Sequence, residues 1–370
     1  MSNSIEKIVI YYGPKQKFDS LHCNNEIKNI VEIAYETDAI RREFSMAGQA
    51  VKSEPPFYEN VVAVSDDYAS LSEHVISNFI GFLRSFSTTN LFLHNPPLQV
   101  YRQMEKAFGA IVLVHKHKYP SIGVEVLQKI KNEFDEHIIG QEEVKERLLS
   151  SLYPLTKHKH KKPVVLMFYG PSGVGKTETA KYISSLLESN LFRKQFSMFH
   201  NEKFASYLFG GHHSENSFAN ELLNRESNVI LLDEFDKPNP VFHSAFYQLF
   251  DEGVFEDKNY SLEIGNAVII CTSNYKSEID VRKNLGDPIY SRFDAVIEFK
   301  SLTINAITQI VEKTLNKMHS ILLPEEQNLI NISELRIRLL NNTSRLKNAR
   351  EIRKIIKEAV SLQLIRSILN

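Results

Sequence analysis

The sequence predicts an α/β chain: a three-layer α/β core followed by a C-terminal helical segment, with a further α/β domain in front. Three observations carry this. The apolar run Pro163–Tyr169 passes directly into a glycine-rich loop and then a helical pattern, the strand–loop–helix order of a parallel sheet. Two more apolar runs, Asn228–Leu232 and Ala267–Cys271, are short enough for buried strands, and each ends in polar residues. From Ser301 onward only helical spacing recurs, in Ile304, Ile307, Val311 and Leu315, in Leu335, Leu339 and Leu340, and in Ile352, Ile355, Ile356 and Val360. The expected division is residues 1–122, 123–300 and 301–370.

Composition excludes several classes. At 370 residues, 42% hydrophobic and 24% charged, the chain is neither disordered nor collagenous, and no stretch reaches the roughly 18 apolar residues of a membrane helix. The opening MSNSIEKIVIYYG has no leader pattern, so a cytoplasmic location is expected. Forty-four basic against forty-five acidic residues leave no overall positive field for a dedicated nucleic-acid binder. Cys23 and Cys271 stand far apart, outside any Cys-x-x-Cys or Cys/His pattern; Cys271, within VIICTSN, reads as a small core hydrophobe.

In the N-terminal part, strands are expected at Lys7–Tyr12, Asn60–Val64, Asn90–His94 and Ala110–His115, with a helix over Leu71–Phe86. No chemistry is advertised there. A helical stretch from Gly123 leads to IIGQEEVKERL, and the basic run Lys157–Lys162 before Pro163 reads as an exposed connector. The segment from Ser301 carries 11 Lys and Arg against 6 Glu.

The chemistry lies in the loop GPSGVGKT, Gly170 to Thr177, a complete match to G-x-x-x-x-G-K-[ST]. Gly170, Gly173 and Gly175 let the backbone curl so that successive N–H groups converge on phosphates, and the next helix adds positive dipole. Pro171, Ser172 and Val174 complete the loop. Lys176 is placed to reach the β- and γ-phosphates and the Thr177 hydroxyl to ligate Mg²⁺. In NVILLDEFDK, Asp233 and Glu234 form an acidic pair at a strand end: Asp233 would hold Mg²⁺ through water, and Glu234 would polarise an attacking water. Asp236 and Lys237 read as surface or structural. Asn274, ending the third strand, is a neutral group suited to hydrogen-bonding that water or the γ-phosphate.

These residues resemble an AAA+ ATPase, and more closely the C-terminal ATPase module of Clp-type unfoldases, over about residues 125–370. The resemblance implies a P-loop NTPase core with a C-terminal helical lid, bound ATP and Mg²⁺, and ATP hydrolysis. IIGQEEVKERL resembles the segment that clasps adenine, which places Ile138, Ile139 and Gly140 there. GPSGVGKTE resembles Walker A with its trailing Glu178, VILLDEFDK Walker B, and CTSN sensor 1. PIYSRFDAVIEF resembles the box whose arginine reaches the neighbouring subunit's nucleotide, making Arg292 the arginine-finger candidate; NAREIRKII resembles sensor 2, making Arg350 the γ-phosphate contact. Either arginine has a plain alternative as a surface ion pair. A finger in trans implies a self-oligomer, by family expectation a ring.

The departures from the family pattern matter equally. Where such unfoldases carry GYVG, this chain reads YLFGGHHSENSF, with Glu215 near the tyrosine position and only Phe209 or Phe218 as substitutes. No peptidase-docking IGF or IGL lies between Asn274 and Arg292; the one IGF, Ile80-Gly81-Phe82, falls in a helical pattern of the N-terminal part. Three readings follow: an ATPase remodelling a protein partner recruited by residues 1–122; an ATP-controlled scaffold or switch for a partner effector, as in defence against foreign DNA, without threading; and, least favoured, a nucleic-acid motor or loader.

Overall fold

The computed structural model describes residues 5–22, 26–47, 55–157, 159–198, 201–341, 346 and 348–369. Cys23 and His158 lie outside them. Contacts divide the chain into two units, one of Met1–Pro120, Phe199–Asn228 and Glu252–Gly265, the other of Ser121–Met198, Val229–Asp251 and Asn266–Asn370.

The first unit is built on a parallel sheet of β1 (Lys7–Tyr12), β2 (Lys28–Asn29), β3 (Phe57–Ala63), β4 (Ser87–His94) and β5 (Val112–Lys116), in the order β2-β3-β4-β1-β5. Ile8 pairs with Leu91 and Ile10 with Leu93, which puts alternate apolar side chains of both strands on one face. Ile8, Ile10, Val61, Leu91 and Leu93 there meet Tyr68, Phe79 and Met104. All four strands expected from the sequence of this part are present. The single helix expected over Leu71–Phe86 is instead two short ones, Glu73–Ser77 and Phe79–Leu83. Asn78 departs from helical geometry at φ −128°, and its side chain accepts a 3.1 Å bond from Gly81 N, capping the second helix. Ile80-Gly81-Phe82 lies in that second helix, with Phe82 buried. The same unit contains the helices Asn201–Phe209 and Phe218–Leu223 and an antiparallel hairpin.

The second unit holds β6 (Val164–Tyr169), β7 (Phe192–Gln195), β8 (Val229–Asp233), β11 (Val268–Thr272) and β12 (Ala295–Glu298); β9 (Val254–Glu256) and β10 (Ser261–Glu263) form the hairpin of the first unit. Its sheet is parallel throughout, in the order β12-β6-β11-β8-β7. The three central strands β6, β11 and β8 are buried at every residue, which is why they read as unbroken apolar runs. Ile130, Phe134, Leu148 and Ile183, from the helices Val124–His137, Glu142–Leu152 and Lys176–Leu186, share one core with Leu166, Leu231 and Ile270. The helices Ile304–Ile321, Ile332–Leu340 and Ala349–Leu369 enclose a separate core around Val311, Leu315, Ile352 and Ile356. Among the described residues, no helix is long and apolar enough to cross a membrane.

Candidate nucleotide site

The glycine loop leaves β6 at Gly170 and enters the helix Lys176–Leu186. Only glycine fits at Gly170: φ is +133°, and a Cβ there would lie 2.1 Å from the Phe299 carbonyl oxygen. Gly175, at φ +119°, turns the chain immediately before Lys176. The loop so formed lines a cavity of about 780 Å³ in the second unit, within the size range of small-molecule sites.

Lys176 is 8% exposed. Its Nζ donates to Gly170 O (2.5 Å), Pro171 O (2.8 Å) and Asn274 Oδ1 (3.2 Å), so the ammonium bridges the loop and the end of β11. Burial pulls its pKa down to about 8.

Asp233, 6% exposed at the end of β8, is held from two sides. Oδ1 accepts from Thr272 Oγ1 at 2.5 Å, while Oδ2 accepts from Arg193 Nε (3.0 Å) and Nη2 (2.6 Å). Glu234 follows at φ +56°, a conformation that costs a glutamate about 1–3 kcal/mol. Its N–H donates to Thr272 Oγ1 (3.0 Å), and its Oε2 accepts from Gln195 Nε2 (3.1 Å). Parallel pairing sets Gln195 opposite Asp233 and Arg193 opposite Leu231, so both β7 side chains reach the acidic pair.

From the helical segment, Arg350 Nη1 donates to Ser172 Oγ at 3.3 Å, and Ala349 N donates to Gly173 O at 3.0 Å. On the opposite approach, Gln141 is buried, its Nε2 donating to Lys300 O (2.9 Å) and Val174 O (3.3 Å) and its Oε1 accepting from Lys300 N (3.1 Å). This clasp fixes the preceding Ile138, Ile139 and Gly140; Gly140 adopts φ +77°.

Of the residues singled out in the sequence, Ile138, Ile139, Ser172, Gly173, Val174, Gly175, Lys176, Thr177, Glu178, Asp233, Glu234, Asn274 and Arg350 line this one cavity. Gly140, Gly170, Pro171 and Arg292 do not line it. Arg292 Nε donates to Asp251 Oδ2 (2.8 Å), and its guanidinium stacks 4.2 Å over the Tyr247 ring. Among the described residues no group of three or more His, Cys, Asp or Glu could hold a metal by itself. The Thr177 hydroxyl and the Asp233 carboxylate nonetheless supply oxygen donors of the kind Mg²⁺ takes alongside phosphate.

The sequence reading missed Arg193 and Gln195, and also the cavity-lining cations Lys313, Lys317, Arg353 and Lys357. FRKQ itself gives no signal for the first pair, whose place depends on the pairing of β7 beside β8.

The sequence profile of the AAA domain (Cdc48 subfamily) matches residues 161–332. Chaperone protein ClpB of Staphylococcus epidermidis is 30% identical over 190 residues, 43% of this chain and 22% of the relative. ClpB of Tropheryma whipplei is 27% identical over 231 residues, 55% of this chain and 33% of the relative. The chain thus spans between a fifth and a third of the length of these relatives. A chain from the closed-state cryo-EM reconstruction of Hsp104 with ATPγS and FITC-casein superposes with a TM-score of 0.57 at 15% identity, covering 98% of this chain and 88% of that one, and shows the shared fold. Glycine loop, acidic strand end and sequence similarity agree: residues 161–332 match the AAA domain (Cdc48 subfamily), and the chain resembles the Clp-type AAA+ module.

Proposed function

We propose that the chain is a Mg²⁺-dependent ATPase that binds and hydrolyses ATP in this cavity. The observation that carries the reading is the convergence of Lys176, Asp233, Glu234, Asn274 and Arg350, from four separate places in the sequence, on one cavity beside the glycine loop. Lys176 gives up its loop carbonyls to pair with the β- and γ-phosphates, and Thr177 and Asp233 hold the metal, the latter through water. Mg²⁺, when bound, neutralises charge on those phosphates. Glu234 orients and polarises the attacking water, Asn274 hydrogen-bonds that water or the γ-phosphate, and Arg350 reports the γ-phosphate to the helical lid. Ile138, Ile139 and Gly140 border the adenine.

Arg292 acts in trans, from a neighbouring copy in a ring, and residues 1–122 recruit a protein partner that ATP turnover remodels in the cytoplasm. The scaffold or switch reading is favoured by one observation. In the stretch where a threading grip is expected, Glu215 is exposed near the tyrosine position and Phe218 is buried against Phe255, out of reach of a threaded chain; Phe209, 48% exposed, is the residue that threading would have to use.

The test is binding and turnover in Lys176→Ala and Glu234→Gln. The first should abolish ATP binding; the second should retain ATP and stall hydrolysis, and normal turnover in it would sink the assignment.

A further inference from the structure

Two segments that lie in sequence inside the ATPase module are structural members of the N-terminal unit. The helix Phe218–Leu223 and the Asn224 that ends it lay Asn220 and Asn224 across the carboxyl ends of the N-terminal strands. Ser65, just past β3, donates through Oγ to Asn220 Oδ1 at 2.8 Å and accepts from Asn224 Nδ2 at 3.1 Å. Asn95, just past β4, donates from Nδ2 to Asn224 Oδ1 at 3.0 Å. Asn95 is itself buried at φ +45° and paired with the backbone of Gly13, beyond β1, through Gly13 N to its Oδ1 at 2.9 Å.

Next along the chain, Arg225 is 4% exposed, with its guanidinium 4.0 Å over the Tyr119 ring and Nη1 on Leu222 O at 2.8 Å. The β9–β10 hairpin joins the same unit, with Asn259 O accepting from Leu98 N at 2.8 Å and Phe255 edge-on to Phe218. Ser65, Asn95 and Arg225 are buried and Asn220 and Asn224 half-buried, so a seam of this kind is costly to leave half-made and holds together or opens as a piece.

Both segments run without a break into strands of the nucleotide cavity. Asn224 is followed, after a short link, by β8, which ends at Asp233 and Glu234; Gly265 is followed by β11, which leads to Asn274. The second segment also starts directly after Asp251, the partner of Arg292.

We propose that the N-terminal unit reports the state of the ATPase: nucleotide occupancy at the ends of β8 and β11 is read out as tightening or release of the Asn220/Asn224 seam on Ser65 and Asn95. This rests on the ATPase reading of the cavity. Its consequence is that the fold of the N-terminal unit includes the segments that lead into the strands of the nucleotide cavity.

Hydrogen exchange on the full chain tests it, comparing Mg·ATP on Glu234→Gln with Mg·ADP on the wild type, with binding followed in parallel by a fluorescent ATP analogue. The expected result is a severalfold difference in amide exchange in peptides covering residues 60–66 and 90–97 as well as in the glycine loop. Asn220→Ala/Asn224→Ala should erase the difference in the N-terminal peptides and keep it in the loop. Ser65→Ala, which removes the hydroxyl shared by both asparagines, serves the same purpose should the double variant fold poorly. Differences confined to the loop and its neighbours, or N-terminal differences that persist in both variants, overturn the proposal and leave the ATPase reading standing. Absence of nucleotide binding removes both.

Discussion

At the residue scale, the buried ammonium of Lys176 has a consequence for pH. Its pKa in the free protein is about 8, against 10.5 for an ordinary lysine. The stability this group contributes is therefore complete above pH 10.5 and lost as pH falls through 8, because below that the fold must bury a charge. ATP reverses the preference, since its phosphates favour the ammonium. Affinity should be flat below pH 8 and weaken above it, approaching tenfold per pH unit. A fluorescent-nucleotide titration from pH 7 to 10 checks this; a flat profile in the wild type would show that Lys176 either titrates as an ordinary lysine in the free protein or does not supply the phosphate contact. Gln195 invites a second measurement. Its bond to Glu234 holds the carboxylate toward β7, so Gln195→Ala should free Glu234 and raise basal turnover a few-fold at unchanged KM. Turnover that stays level or falls would mean that Gln195 supports the working position of Glu234.

At the scale of elements, the glycine loop is where backbone geometry and chemistry coincide. Gly170→Ala would drive a Cβ into the Phe299 carbonyl at a positive φ, so the loop should distort, costing about 1–3 kcal/mol and weakening ATP binding together with it. Denaturant melts and nucleotide titrations on the same preparation read both effects. The loop, β8 and β11 were legible in the sequence because backbone geometry fixes their residue types and spacing: glycines where φ is positive, apolar runs where a parallel sheet buries both faces. Strand β7 was not, because FRKQ is four residues long, largely polar and without period; only its pairing beside β8 gives Arg193 and Gln195 a role. The break at Asn78 escaped a reading by periodicity because a single side-chain cap decided it, and the apolar spacing continues through it. The seam of Ser65 with Asn220 was invisible for another reason: its partners are 155 residues apart, and polar pairing at that range leaves no periodic trace.

At the scale of the whole molecule, the question is whether the site is complete in one copy. Lys176, Asp233, Glu234, Asn274 and Arg350 line the cavity together, whereas Arg292 is spent on Asp251 and Tyr247 outside it. If Arg292 works in trans, Arg292→Ala should bind ATP as the wild type does and lose turnover by about 10³-fold or more, the scale on which an arginine finger acts. Lys176→Ala should lose turnover because it cannot bind. Mixed in equal amounts, these two inactive proteins should regain activity: an Arg292→Ala copy binds ATP with its intact Lys176, and a neighbouring Lys176→Ala copy supplies the missing arginine. Recovery should depend on protein concentration and vanish under conditions in which light scattering shows only monomers. No recovery from the mixture, while scattering shows assembled ATP-bound complexes, would mean that Arg292 serves its own chain as the clamp on Asp251, and the ring would lose its catalytic reason to form.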